Sequence, residues 1–148
     1  MSIMELGHVV LYVAELERSR RFYRDALEFR EIFVLPQVAA AYSSGRTHHE
    51  LMLLAVGPAQ PVPTGRRVGV YHIGFKVGDT DDALRAVLVR LHKFTVPLIG
   101  ASDHGVTHSV YMLDPDGNEI ELYIDVPGVD WRSDPSLAIG GLPRPLRL

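Results

Sequence analysis

Tyr71-His72-Ile73-Gly74-Phe75-Lys76-Val77 decides the fold, because it repeats an earlier stretch, Gly7-His8-Val9-Val10-Leu11-Tyr12-Val13. Both are short β-branched and aromatic runs that open on a histidine, the composition of a strand. A charged stretch with apolar residues near helical spacing follows each. After the first, Leu16, Phe22 or Tyr23, Ala26 and Leu27 predict an amphipathic helix from about Leu16 to Leu27. After the second, a helix is expected from Ala83 to His92. Thr80 is its N-cap, and Asp81 and Asp82 lie where the helix dipole favours acids. His8 maps to His72, Leu16 to Thr80 and Leu27 to Leu91, each 64 positions later.

Strands fill the rest of each half. The first half has strand-like runs at Arg30–Leu35, Ala39–Ser43 and Glu50–Val56, and the second at Thr95–Ile99, His108–Leu113 and Glu119–Ile124. Asp114-Pro115-Asp116-Gly117-Asn118 joins the last two runs as a strong turn signal. The halves are separated by Gly57-Pro58-Ala59-Gln60-Pro61-Val62-Pro63-Thr64-Gly65, a linker composition. The expectation is an α+β fold: one domain of two paired β-α-β-β-β modules whose curved mixed sheets form a metal-binding cleft. Module one covers about 4–57, the linker about 58–67 and module two about 68–125. The Pro-rich tail, 126–148, has no counterpart in the first half and is expected to wrap the surface.

Composition narrows the chemistry. The 148 residues suffice to bury a real core, and 47% hydrophobic with 22% charged residues is ordinary for a globular protein. A net charge of -3 gives no reason to expect nucleic acid or an anionic membrane surface. Without cysteine, any metal must take nitrogen and oxygen ligands. No run reaches the roughly 20 apolar residues of a membrane span, and the start lacks a signal-peptide pattern. A cytoplasmic location is the default expectation.

Strand parity then selects candidate ligands. In the last strand Ile120, Leu122 and Ile124 make the core face, which turns Glu119, Glu121 and Tyr123 to the cleft. By the same logic His72 lies opposite Ile73, Phe75 and Val77, and His8 opposite Val9, Leu11 and Val13. Two histidines and a carboxylate are the ligand set of the facial triad that holds Fe(II) with open positions. Mn(II), Zn(II) or another divalent metal could use the same donors. Glu119 competes with Glu121, but its place beside the turn predicts that it is solvated. Among the other histidines, His48, His92 and His108 read as solvent-facing. His49 and His104 stay open between site and loop.

The motifs that carry a resemblance are His8-Val9-Val10-Leu11, Thr47-His48-His49-Glu50-Leu51, Val70-Tyr71-His72-Ile73-Gly74-Phe75, Ser102-Asp103-His104-Gly105-Val106-Thr107-His108-Ser109-Val110-Tyr111, and Asp114 through Tyr123. Over about residues 4 to 127 the chain resembles the vicinal oxygen chelate (glyoxalase/bleomycin resistance/dioxygenase) superfamily, and most of all the type I extradiol (catechol 2,3-) dioxygenases. The resemblance implies His8, His72 and Glu121 as Fe(II) ligands. It implies His49 as acid-base residue, and His104, with His108 as a substitute, and Tyr111 on the substrate oxygens. It further implies a catechol-type substrate, dioxygen and a homodimer, with modules paired within one chain or exchanged between two. Well-known extradiol enzymes have two such module pairs, and this chain has one. The alternatives are another metal-dependent superfamily enzyme, a glyoxalase-like lyase or thiol transferase, and a bleomycin-resistance-like small-molecule binding protein. Glyoxalase I takes a fourth ligand from the position of Glu50, which strand parity sets opposite His49.

Overall fold

Two four-stranded mixed sheets, each with its own helical segment, build the protein, so the α+β expectation is borne out. The computed structural model describes residues 2–139 and 142–148. The chain divides into two compact units, Met1–Pro63 and Thr64–Leu148. No helix among the described residues is long and apolar enough to cross a membrane.

The first unit contains β1 (Val9–Val13), α1 (Leu16–Arg20 with a π-helical continuation, Arg21–Ala26), β2 (Glu31–Leu35), β3 (Ala39–Tyr42) and β4 (Leu51–Ala55). Its sheet order is β1-β4-β3-β2, with β1 and β4 parallel and the other pairs antiparallel. The expected helix to Leu27 is therefore two kinds of helix in series. Glu15 starts it, its carboxylate accepting from the backbone N–H groups of Glu17 and Arg18 at 2.9 and 2.6 Å. The widened turn closes with Leu27 N–H donating to Phe22 C=O, five residues back, at 2.9 Å. The wider turn buries both Phe22 and Tyr23, together with Ala26.

The second unit contains β5 (His72–Gly78), α2 (Asp81–Lys93), β6 (Leu98–Asp103), β7 (Thr107–Leu113) and β8 (Glu119–Asp125), followed by a short 3-10 helix, α3 (Pro135–Ile139). The sheet order β5-β8-β7-β6 repeats the first unit, again with the first and last strands parallel. Thr80 caps α2 as expected, its hydroxyl accepting from Ala83 N–H at 3.3 Å. Leu84, Val87 and Leu91 are its buried stripe. They share the core with Ile120, Leu122, Ile124, Val110 and Met112, while Glu119, Glu121 and Tyr123 take the other face of β8.

One strand boundary differs from expectation. The run Thr95–Ile99 is not a strand; Thr95 has φ +57° and belongs to the exit from α2. Val96 N–H donates to Leu91 C=O at 2.9 Å, closing the helix end. The strand begins at Leu98 and extends to Asp103. Arg144 of the tail then pairs with Asp103, two backbone hydrogen bonds of 2.9 Å covering the outer edge of the sheet.

Candidate metal and substrate site

In the second unit, register puts four residues in one row across all four strands. Gly74 on β5 pairs with Glu121 on β8, Glu121 with Tyr111 on β7, and Tyr111 with Gly100 on β6. The two glycines flank Glu121 and Tyr111 in that row. A Cβ on Gly74 would stand 3.1 Å from Glu121 Oε2, and one on Gly100 would meet the Tyr111 ring at 3.4 Å. With no side chain at Gly74, the Glu121 carboxylate leans toward His72, and its Oε2 lies 3.2 Å from His72 Nε2.

A directed chain of hydrogen bonds holds this carboxylate. The Tyr111 hydroxyl donates to Glu121 Oε1 at 3.0 Å, and His104 Nε2 is 2.8 Å from the same hydroxyl oxygen. Tyr111 has one proton and gives it to Glu121, so His104 is the donor in the second bond, with its proton on Nε2. Burial, followed by the neighbouring Glu121 charge and its hydrogen bond, pushes the Tyr111 phenol up to about 12. It is a neutral donor at physiological pH. The loop that presents His104 is tied at both sides. Asp103 accepts from Gly105 N–H at 2.7 Å, and His104 N–H donates to Thr107 C=O at 2.9 Å.

The pair His72 and Glu121 fits a divalent metal. Two donors on adjacent positions of such an ion, each about 2.1 Å from it, stand about 3 Å apart. The observed 3.2 Å between Nε2 and Oε2 is that separation. His72 Nδ1 is buried and has no hydrogen-bond partner. Glu119, expected in solvent, is instead largely covered, with 20% of its side chain exposed, and its Oε1 is 3.8 Å from that nitrogen. Among the described residues, no group of three or more His, Cys, Asp or Glu side chains is placed to hold a metal ion.

The first unit gathers three histidines. Val9 pairs with Leu51 in the parallel β1–β4 ladder, and His8 and His49 come just before those strands. Their ring centroids are 4.5 Å apart, as are those of His49 and His48. His48 Nδ1 and His49 Nδ1 lie 2.6 Å apart, one donating to the other. Burial first, then the neighbouring charges of His48 and His8, hold the His49 imidazole below its ordinary value. Arg46 secures the loop by donating to the carbonyls of Leu6 and Gly7 at 3.1 and 3.3 Å. Glu50 precedes β4 rather than opening it, and its carboxylate accepts from the Ser44 N–H and hydroxyl, both at 2.8 Å. That engagement turns it to its own loop.

His104 and His108 part company. His108 lies on β7 with 18% of its side chain exposed, its Nδ1 2.5 Å from Asp81 at the start of α2. It braces the helix against the sheet and is neither solvent-facing nor beside Tyr111. Sequence reasoning missed Gly74, Gly100 and Arg46 as site-shaping residues. A glycine amid a β-branched strand was the available signal for Gly74.

The profile of the Glyoxalase/Bleomycin resistance protein/Dioxygenase superfamily matches residues 5–122. A catechol-2,3-dioxygenase of Bacillus subtilis is 33% identical over 130 residues, covering 87% of this chain and 44% of that protein. A biphenyl-2,3-diol 1,2-dioxygenase of Rhodococcus globerulus is 30% identical over 120 residues, covering 81% of this chain and 63% of that one. The chain thus spans less than two thirds of either relative. A glyoxalase/dioxygenase structure from Nostoc punctiforme superposes with a TM-score of 0.68 at 20% identity, covering 84% of this chain and 97% of that one, and shares the fold.

Proposed function

The chain belongs to the glyoxalase/bleomycin resistance protein/dioxygenase superfamily, and from that premise we propose that it is an Fe(II)-dependent extradiol dioxygenase. The substrate is a catechol-type diol. Both atoms of dioxygen enter the product as the ring opens beside the diol to a muconic semialdehyde. The ligands are His8, His72 and Glu121, with His49 as acid-base residue and Tyr111 and His104 at the substrate oxygens. Iron held by two imidazoles and a carboxylate supplies Lewis-acid and redox chemistry and leaves positions for the diol and dioxygen.

The observation that carries this reading is the series His104 Nε2–H, Tyr111 hydroxyl, Glu121 carboxylate. It joins a metal donor to a phenol that stays protonated. For a substrate oxygen arriving beside Glu121, Tyr111 would turn its one proton from the carboxylate to that oxygen, while the His104 hydrogen bond holds the phenol oxygen in place. His49, held below its ordinary value by its surroundings, is a neutral imidazole near pH 7, the form that accepts a proton. The two dioxygenases among the relatives support the same choice within the superfamily.

The test is anaerobic reconstitution with Fe(II), followed by oxygen uptake on adding simple, alkyl- and aryl-substituted catechols. Uptake matched by a yellow ring-opened product, and absent in Glu121→Ala, is the expected result. Tyr111→Phe should keep its iron and lose about a hundredfold in kcat/KM. Iron-loaded protein that consumes no oxygen with any of these diols would overturn the dioxygenase reading, and protein that binds no iron would point to a small-molecule binder.

A further inference from the structure

We propose that Glu119 is the positioning residue for His72: its carboxylate accepts the proton of the buried Nδ1–H and so fixes the tautomer and ring plane that present Nε2 to the metal. The inference rests on the metal reading above and adds a residue to it.

His72 stands between two carboxylates. Glu121 Oε2 is 3.2 Å from Nε2, and Glu119 Oε1 is 3.8 Å from Nδ1. An imidazole that ligates a metal through Nε2 must carry its proton on Nδ1. That N–H is buried without a hydrogen-bond partner, a costly state for a polar group. Ligating histidines usually satisfy this second N–H with a carboxylate or carbonyl, which sets both tautomer and orientation. Glu119 is the register partner of His72 across the parallel β5–β8 ladder, so backbone pairing holds the two together. A closure of about 0.6 Å brings them to the upper limit of the usual N–H···O range.

Tyr71 stands close by: the Glu119 charge raises its phenol, and its ring lies 4.7 Å from the His72 ring. A carboxylate beside a turn would ordinarily extend into water. This one is largely covered instead, beside its register partner His72. Glu119 thus stands on the Nδ1 side of His72, opposite the Tyr111–Glu121 chain on the Nε2 side.

The experiment measures Fe(II) affinity anaerobically, by competition with a chromophoric chelator, in the full-length protein. Wild type, His72→Ala, Glu119→Ala, Glu119→Gln and Tyr71→Phe are compared. Glu119→Ala is expected to bind roughly 10- to 100-fold more weakly than wild type. Glu119→Gln, which keeps an oxygen acceptor, should recover part of that loss, and Tyr71→Phe should lose less than Glu119→Ala. Imidazole nitrogen NMR of the Zn(II)-loaded protein gives a second readout, in which a protected His72 Nδ1–H signal is expected in wild type and lost in Glu119→Ala. If Glu119→Ala does not fold, Glu119→Gln and Tyr71→Phe carry the comparison. Should His72→Ala lose affinity while the Glu119 variants bind within twofold of wild type and keep the Nδ1–H signal, the positioning role is overturned and the metal reading stands. Should His72→Ala bind iron as wild type does, both fall.

Discussion

Gly74 shows how much a missing methyl group can decide. Its strand neighbours on the site face are His72 and Lys76, and Glu121 crosses the space its side chain would fill. Gly74→Ala should leave the fold intact, because alanine suits a strand interior better than glycine. The same change presses on Glu121 Oε2, and Fe(II) affinity is expected to fall about tenfold, read by chelator competition. Increased affinity, or none lost, would remove Gly74 from the account. At this scale the sequence was legible where alternation rules. Ile120, Leu122 and Ile124 face the core, and Glu121 faces away from it, as period-two parity requires. Parity cannot say which of two same-face acids meets the histidine. Glu119 was misjudged because its nearness to the turn outweighed the register that sets it across from His72. The separation of His104 from His108 was also beyond the sequence, since it depends on where Asp81 lies in space.

Elements were read best where propensity and tertiary packing agree, and worst where a backbone exception intervenes. Thr95 has strand propensity but sits at φ +57°, a conformation that costs a β-branched residue on the order of 1 kcal/mol. Its side chain is exposed, so little packing is lost on removal. Thr95→Gly should therefore stabilise the protein by about 0.5–1 kcal/mol in urea unfolding. The π-helical turn of α1 was equally hidden, because Leu16, Phe22, Tyr23 and Ala26 also suit the apolar stripe of an ordinary α-helix. The same unit carries an acid-sensitive tie. Arg20 donates to both oxygens of Glu31 at 2.8 Å, and the buried Tyr42 hydroxyl adds a third bond at 3.2 Å. The Arg20 hydrogen bonds hold the Glu31 carboxyl below its ordinary 4.5. Its contribution is thus complete above that value and is lost as pH falls through the lower folded one. Urea unfolding from about pH 6 down to about pH 3 should show a shallower acid loss in Glu31→Gln than in wild type. Equal slopes would mean that the tie adds no pH dependence.

For the whole molecule, the repeat at an offset of 64 residues was the most legible feature, and both units carry the same strand order. The division between the two compact units, between Pro63 and Thr64, falls within the stretch rich in proline and glycine. Arg66 and Arg67 are exposed in that stretch and outside any helix or strand. Limiting trypsin should cut there first, with mass spectrometry of the earliest products giving a fragment ending at Arg66 or Arg67. First cuts within α2 would show that the helix opens more readily than the linker. The tail's return to the edge of β6 had no signal in composition, because a two-residue bridge leaves no periodic trace. The strand order also bears on how the protein is made. In each unit the first strand pairs only with the last, so β1 waits for β4 and β5 waits for β8. A chain emerging from the ribosome exposes His72 some fifty residues before Glu121 exists to stand beside it. During synthesis that histidine is a single imidazole on a strand still without its partner. The proposed donor pair comes into being only when β8 has joined β5, so on that reading no part of the site in this unit is ready before both strands are in place.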